Sequence, residues 1–336
     1  VLTTRIAWLL STAQAGPSTI LAVTFTNKAA KEMQSRLAAM VPFNIRGLWI
    51  GTFHGLCNRL LRAHHRDAGL PAQFQILDTA DQLSSIKRLA KALNYDEQKF
   101  PPRELMHFIN AHKEQGLRAA HSEAYDPTTR RRVEFYAEYE QQCQREGVVD
   151  FAELLLRCYE LLQRHQPLRE HYQARFRHIL VDEFQDTNRL QYAWLKLLAG
   201  YGTLPDGEGA RVFAVGDDDQ SIYAFRGAEA GNMHDLQNEF AIAEVIRLEQ
   251  NYRSHGNILD AANALIRQNR DRLGKTLWTA DGAGEPIRVF EGFSDVDEAR
   301  FIVDEVGALV RDGYSRSQMA LLYRSNAQSR VLEHQL

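Results

Sequence analysis

The chain has 336 residues, enough for about two domains, and is 44% hydrophobic and 25% charged. Lys and Arg total 40 against 43 Asp and Glu, a formal net charge of −3. These values exclude a disordered chain, a collagen-like repeat and a strongly basic nucleic-acid tail. Any nucleic acid must be met by a local groove, because the summed charge offers no attraction. The cysteines Cys57, Cys143 and Cys158 are odd in number and lack C-x-x-C spacing, which argues against zinc ribbons and a disulfide framework and points to a reducing cytoplasm. No apolar run approaches the roughly eighteen residues of a membrane span. Arg5, Ile6 to Leu10 and Ala13-Gln14-Ala15 imitate a signal peptide, but this apolar stretch is shorter than the roughly 7–15 residues such a core needs.

In chain order, short apolar strands alternate with helical patterns, the signature of a parallel α/β sheet. Ile20 to Phe25 reads as a buried strand, Asn27 to Met40 as a helix, and Gly47 to Phe53 as a second strand. Between about Gly55 and Arg175 strand candidates vanish. Amphipathic stretches such as Asp81 to Leu93 and Arg130 to Glu146 take over, punctuated by Pro71, Pro101-Pro102 and Pro127. This predicts an all-helical subdomain inserted into the sheet domain. Strands resume at Arg177 to Val181, Val212 to Val215 and Glu244 to Leu248, then near Ile287 to Phe293 and Met319 to Tyr323, and Gly200 to Gly209 reads as a surface loop. The expected divisions are 1–56 and 177–248 for a first sheet domain, 57–176 for the insert, and 249–336 for the start of a second sheet domain.

Three clusters follow strand ends, where ligands of such sheets sit. Asp182 and Glu183 are adjacent carboxylates after a buried strand, costly unless their charge is compensated. Mg2+ carried by a nucleotide phosphate would do so, with one carboxylate on the metal and the other on an attacking water; the alternative is a strand end turning into solvent. Gly216-Asp217-Asp218-Asp219-Gln220 is either a polar turn or a place where Gln220 senses a terminal phosphate. The nearby Tyr223, Phe225 and Arg226 suit stacking of single-stranded bases, although such aromatics are also common in cores. In Asn251-Tyr252-Arg253-Ser254, Arg253 is a surface arginine or a finger reaching a γ-phosphate, and Tyr252 could stack on a base.

Taken together, AVTFTNKAA (Ala22 to Ala30), GTFHG (Gly51 to Gly55), VDEFQDTN, GDDDQSIY and LEQNYRS occur in one order, accompanied by FQILDTADQL, VDFAELLLR, RLGKTLW and LYRSNAQSRVLE. This set, spread along essentially the whole chain, resembles the UvrD/Rep family of superfamily 1 DNA helicases. The resemblance implies a RecA-like motor domain and an ATP-dependent helicase of DNA repair that moves 3′ to 5′ on single-stranded DNA and opens duplex at single-/double-strand junctions. ATP and Mg2+ would be its cofactors and repair proteins its conceivable partners, with the oligomeric state open. Asp182 would bind Mg2+, Glu183 would activate water, Gln220 would sense the γ-phosphate, Tyr252 would pack on adenine, and Arg253 would be the arginine finger. Phe25, Thr52, His54, Tyr223, Phe225 and Arg324 would line the DNA track. Alternatives are the helicase subunit of a helicase–nuclease, or a DNA-binding remnant without ATPase activity.

The sequence departs from that family in two places. Phe225 stands where tryptophan is usual, which leaves a smaller face for stacking. No G-x-x-x-x-G-K-S/T phosphate loop is present. Gly274-Lys275-Thr276 lacks the first glycine, the position being Asn269, and follows a helical stretch (Ile258 to Arg270) instead of a strand, so it reads as a loop. An internal fragment of a longer helicase, hydrolysing ATP poorly by itself, is the expectation.

Overall fold

The computed structural model describes all residues except 43, 201–208, 224–226, 230, 241, 243 and 270–271. Two compact units are present, Val1–Ile246 and Arg247–Leu336.

The first unit is built on four parallel strands: β1 (Ile20–Thr24), β2 (Trp49–Thr52), β5 (His178–Val181) and β6 (Arg211–Ala214), in spatial order β2-β1-β5-β6. All residues of β1 and β5 are buried, as expected of central strands covered on both faces. The period of two divides their side chains between two layers. Ile20, Ala22 and Leu180 pack with α1 (Leu2–Ser11) and α2 (Asn27–Met40). Leu21, Val23, Ile179 and Val181 pack on the other face with α3 (Phe53–Ala63), with α7 (Phe151–Arg164) and α8 (Gln166–Arg175), and with α9 (Arg189–Ala199). Chain order reverses direction between β1 and β5, so the crevice outside their carboxyl ends is the switch point where ligands bind in open α/β sheets.

Between α3 and α7 lie α4 (Thr79–Ala92), α5 (Pro102–Glu114) and α6 (Pro127–Glu146), with their own core around Ile86, Leu105, Ile109, Phe135, Tyr136 and Tyr139. This region is not all-helical as expected. A two-stranded parallel ribbon joins β3 (Gln75–Leu77) to β4 (Val148–Asp150). Strands of three residues are too short to display an alternation, so the sequence pattern hid them.

A buried ion network, also unanticipated, ties this core to α7. Lys113, 1% exposed, donates to Asp150 (2.7 Å) and lies 2.9 Å from Glu153. Arg118 reaches Glu140, Glu153 and Glu160 at 2.7–3.0 Å, and Arg157 pairs with Glu153 at 2.7 Å. Asp150 also caps α7 by accepting from the Glu153 N–H, and accepts from the Tyr139 hydroxyl.

In the second unit, α11 (Gly256–Ile266), α12 (Asp295–Arg311) and α13 (Asn326–Gln335) form, the last element of the first unit being α10 (Gly231–Glu239). The strands expected at Glu244 to Leu248, Ile287 to Phe293 and Met319 to Tyr323 are not formed among the described residues. Each segment has strand-like composition but no ladder partner, and Ile246, Val289, Phe293 and Leu322 stay largely exposed. Strand propensity expresses packing against neighbours and is not realised without them. The segment at Gln250 instead makes a single parallel bridge to Trp278.

Lys113→Ala should cost about 3–5 kcal/mol in urea denaturation at neutral pH, because it leaves the buried Asp150 without a cation and removes one of the three cations around Glu153. Burial opposes the charge of Glu153, but Lys113, Arg118 and Arg157 outweigh it and hold the carboxyl well below its usual range. A depressed folded-state value stabilises fully above the ordinary glutamate value of 4.5 and is lost as pH falls below it. The variant should therefore lose less stability on acidification than the parent. Equal stability at neutral pH would contradict the network.

Candidate active site at the carboxyl edge of the sheet

The β5 chain leaves the sheet with its backbone still tied to both neighbours. The Asp182 N–H donates to Val23 O (2.9 Å), Val215 N–H to Val181 O (2.8 Å), and Phe184 N–H to Val215 O (3.0 Å). Asp182 is half-buried and Glu183 exposed. Burial first, and then the neighbouring Glu183 charge, raise the Asp182 carboxyl above its ordinary range. The same two causes raise Asp186, whose Oδ1 is buried without a hydrogen-bond partner among the described residues. Three carboxylates thus fall within five residues, and two of them, Asp182 and Asp186, are destabilised as anions; a divalent cation beside Asp182 would relieve that pressure.

Glu183 adopts a left-handed backbone, φ +49°, which L-residues other than Asn and Asp seldom adopt. The turn leads the chain into the 3₁₀ turn Phe184–Asp186, and Glu183 stays exposed. Gln185, missed in the sequence reading, is 1% exposed. Its Nε2 donates to Glu183 Oε2 (2.8 Å), and its Oε1 accepts the Asp217 N–H (2.9 Å). Gln220, exposed, donates from Nε2 to Asp217 Oδ2 (2.7 Å). The structure thus links Glu183, Gln185, Asp217 and Gln220 through consecutive hydrogen bonds across the ends of β5 and β6. Nothing in the pattern marks Gln185, because a glutamine in a polar run after a strand reads as solvated.

A cavity of about 300 Å3 opens along the same edge, lined by Thr24, Phe25, Thr52, Phe53, His54, Glu114, Asp186, Asn188, Gln191 and Tyr223. Four expected track residues, Phe25, Thr52, His54 and Tyr223, are therefore neighbours. The Phe25 and Tyr223 rings lie 5.1 Å apart and tilted by 40°. Thr52 spends its hydroxyl accepting from the Gly55 N–H as the cap of α3. Burial keeps the His54 imidazole below its usual range and hence neutral, its ring edge-on to Phe151. Asn188 and Gln191 form a reciprocal capping box on α9. Glu114 arrives from the end of α5, far away in sequence. Phe225 and Arg226 lie outside the described residues.

The remaining expected residues are in the second unit. Tyr252 and Arg253 are exposed, and the Arg253 and Ser254 N–H groups donate to Asn251 Oδ1 at 2.8 Å, an Asx turn. The Asn251 N–H donates to Trp278 O (2.7 Å). Arg324 is exposed just before α13. Gly274-Lys275-Thr276 is neither helix nor strand, with Gly274 in a left-handed backbone and no helix directly after it, so the loop reading holds.

Glu183→Gly should be about 1 kcal/mol more stable than Glu183→Ala, because only glycine enters the left-handed region without steric cost. Thermal melts of the two variants check this. An alanine variant as stable as the glycine one would contradict the turn geometry.

No helix among the described residues is long and apolar enough to cross a membrane. Residues 1–241 match the family model of the UvrD/REP helicase N-terminal domain, and residues 246–336 match that of the UvrD-like helicase C-terminal domain. DNA helicase II of Escherichia coli K12 is 53% identical over 337 aligned residues, covering 100% of this chain and 46% of that protein. DNA helicase II of Haemophilus influenzae is 50% identical over 341, with 100% and 46% covered. The ATP-dependent DNA helicase PcrA of Staphylococcus aureus Mu50 is 41% identical over 336, with 99% and 45% covered. The chain spans about half the length of the curated relatives it matches. With both family models matched end to end along a parallel-sheet scaffold, the chain belongs to the UvrD/Rep helicase family and carries its RecA-like motor fold.

Proposed function

We propose that the chain is the motor portion of an ATP-dependent DNA helicase of DNA repair, moving 3′ to 5′ on single-stranded DNA and opening duplex at junctions. One observation carries the reading. A carboxylate cluster suited to a metal-bound nucleotide and an aromatic cavity suited to a base share one sheet edge, and hydrogen bonds join the first to the loop that bears part of the second. The relatives' printed names, DNA helicase II and ATP-dependent DNA helicase PcrA, agree with it.

The donor set fits Mg2+, because Asp182 is driven toward protonation by burial and by Glu183, and a cation reverses both pressures. When bound, Mg2+–ATP supplies the phosphoryl group whose transfer to water drives movement. Asp182 would hold the ion. Glu183, exposed at its left-handed turn, orients the attacking water and accepts its proton. Gln220 lies one hydrogen-bonded residue beyond Gln185 and senses the terminal phosphate. By the family resemblance, Tyr252 would have the adenine contact and Arg253 the part of the arginine finger.

On the DNA side, Phe25 and Tyr223 offer π-faces to a base, with Thr52 and His54 beside them; by the family resemblance Phe225, Arg226 and Arg324 would also contact the strand. The carboxylates of Glu114 and Asp186 within the cavity repel phosphate and accept from exocyclic amines. The cavity therefore suits a base in preference to the backbone.

In the full-length gene product, Glu183→Gln should lower DNA-stimulated ATP turnover by about 100-fold or more while ATP affinity stays within a few-fold, since the amide keeps shape but cannot take a proton. Steady-state turnover and equilibrium nucleotide binding measure the two quantities. An unchanged kcat would remove Glu183 from the role.

A further inference from the structure

The geometry points to Gln185 as a positioning residue that relays base occupancy of the Phe25–Tyr223 cavity to the catalytic carboxylate of Glu183. The inference rests on the functional reading above and adds to it the path by which DNA regulates hydrolysis.

Gln185 is buried between two elements and gives each one end of its amide. A backbone N–H can only donate, so the atom facing Asp217 must be Oε1, and the amide nitrogen then necessarily faces Glu183. The carboxylate of Glu183 accepts what that nitrogen donates. The side chain is therefore matched at both ends, and a carboxylate in its place would be mismatched at one.

The loop after β6 is seated directly against this amide. A Cβ at Gly216 would lie 2.7 Å from Gln185 Oε1 and 3.3 Å from the backbone nitrogens of Phe184 and Gln185. Glycine is needed there for close approach. From Gly216 the loop passes through Asp217 and Gln220, which are joined by two hydrogen bonds, and reaches Tyr223 against Phe25. A base entering beside Tyr223 moves a loop whose Asp217 N–H is held by Gln185. Glu183 sits in a backbone region it does not favour, so its carboxylate is placed by such neighbours and not by local preference. Gln185 thus bonds through its side chain both Glu183 and the Gly216–Tyr223 loop.

The test uses the full-length protein and compares ATP turnover with and without single-stranded DNA. Gln185→Glu keeps an oxygen for the Asp217 N–H but sets a carboxylate against Glu183, severing one link. Gly216→Ala leaves Gln185 intact and displaces its amide, so it serves if Gln185→Glu does not fold. For either folded variant, DNA-stimulated kcat should fall about tenfold or more, the ATP KM should stay within about threefold, and the ratio of stimulated to basal turnover should collapse toward one. A merely structural role would lower both rates together and preserve the ratio, overturning the relay. If the parent protein itself shows no DNA-stimulated turnover, the functional reading fails first, and the relay with it.

Discussion

The site depends on the burial of β5. Its four residues are enclosed on both faces and bonded to strands on both sides, so charge can enter the chain only where the strand ends. At that point the backbone is still held by Val23 and Val215, and Asp182 and Glu183 therefore project from a fixed origin. Preorganisation of this kind is what electrostatic catalysis requires, because groups already in place need not reorganise during the reaction. The strain at Glu183 is the local cost of placing two adjacent carboxylates at the sheet edge.

Rigidity of the surroundings has a different physical source. The packed sheet is held by apolar layers, whereas the α4–α6 region is joined to α7 by Lys113, Arg118 and their carboxylates. Such buried pairs give little net stability over apolar packing. They do fix one arrangement of α5 against α7, since any other would strand a buried charge. That matters to the site, because Glu114 at the end of α5 and Phe53 at the start of α3 line the same cavity.

Much of the first unit was legible in the sequence because its signals are local. The apolar run Ile20 to Phe25, the capped helix Asn27–Met40 and the acidic residues following Val181 stand in the structure within a residue or two of their expected limits. The helix agrees at both ends, as the Thr26 cap and its clear periodicity allow. What could not be read is non-local. The amide of Gln185 acquires meaning only when β6 lies beside β5. Lys113 looks like any helical lysine until Asp150 and Glu153 close over it, and β3 and β4 are separated by more than sixty residues of helix and turn. In the second unit the error ran the other way. Apolar composition at Ile287 to Phe293 and Met319 to Tyr323 suggests strands, while the ladder that makes a strand is absent among the described residues.

On the proposed reading, nucleotide and single strand would bind at one connected edge, so that each alters the affinity for the other. The direct measurement is the single-strand Kd of the full-length protein by fluorescence anisotropy, at one fixed salt concentration, with and without Mg2+ and a non-hydrolysable ATP analogue. A shift of about fivefold or more that depends on both Mg2+ and the analogue is expected. The same Kd under all conditions would contradict it.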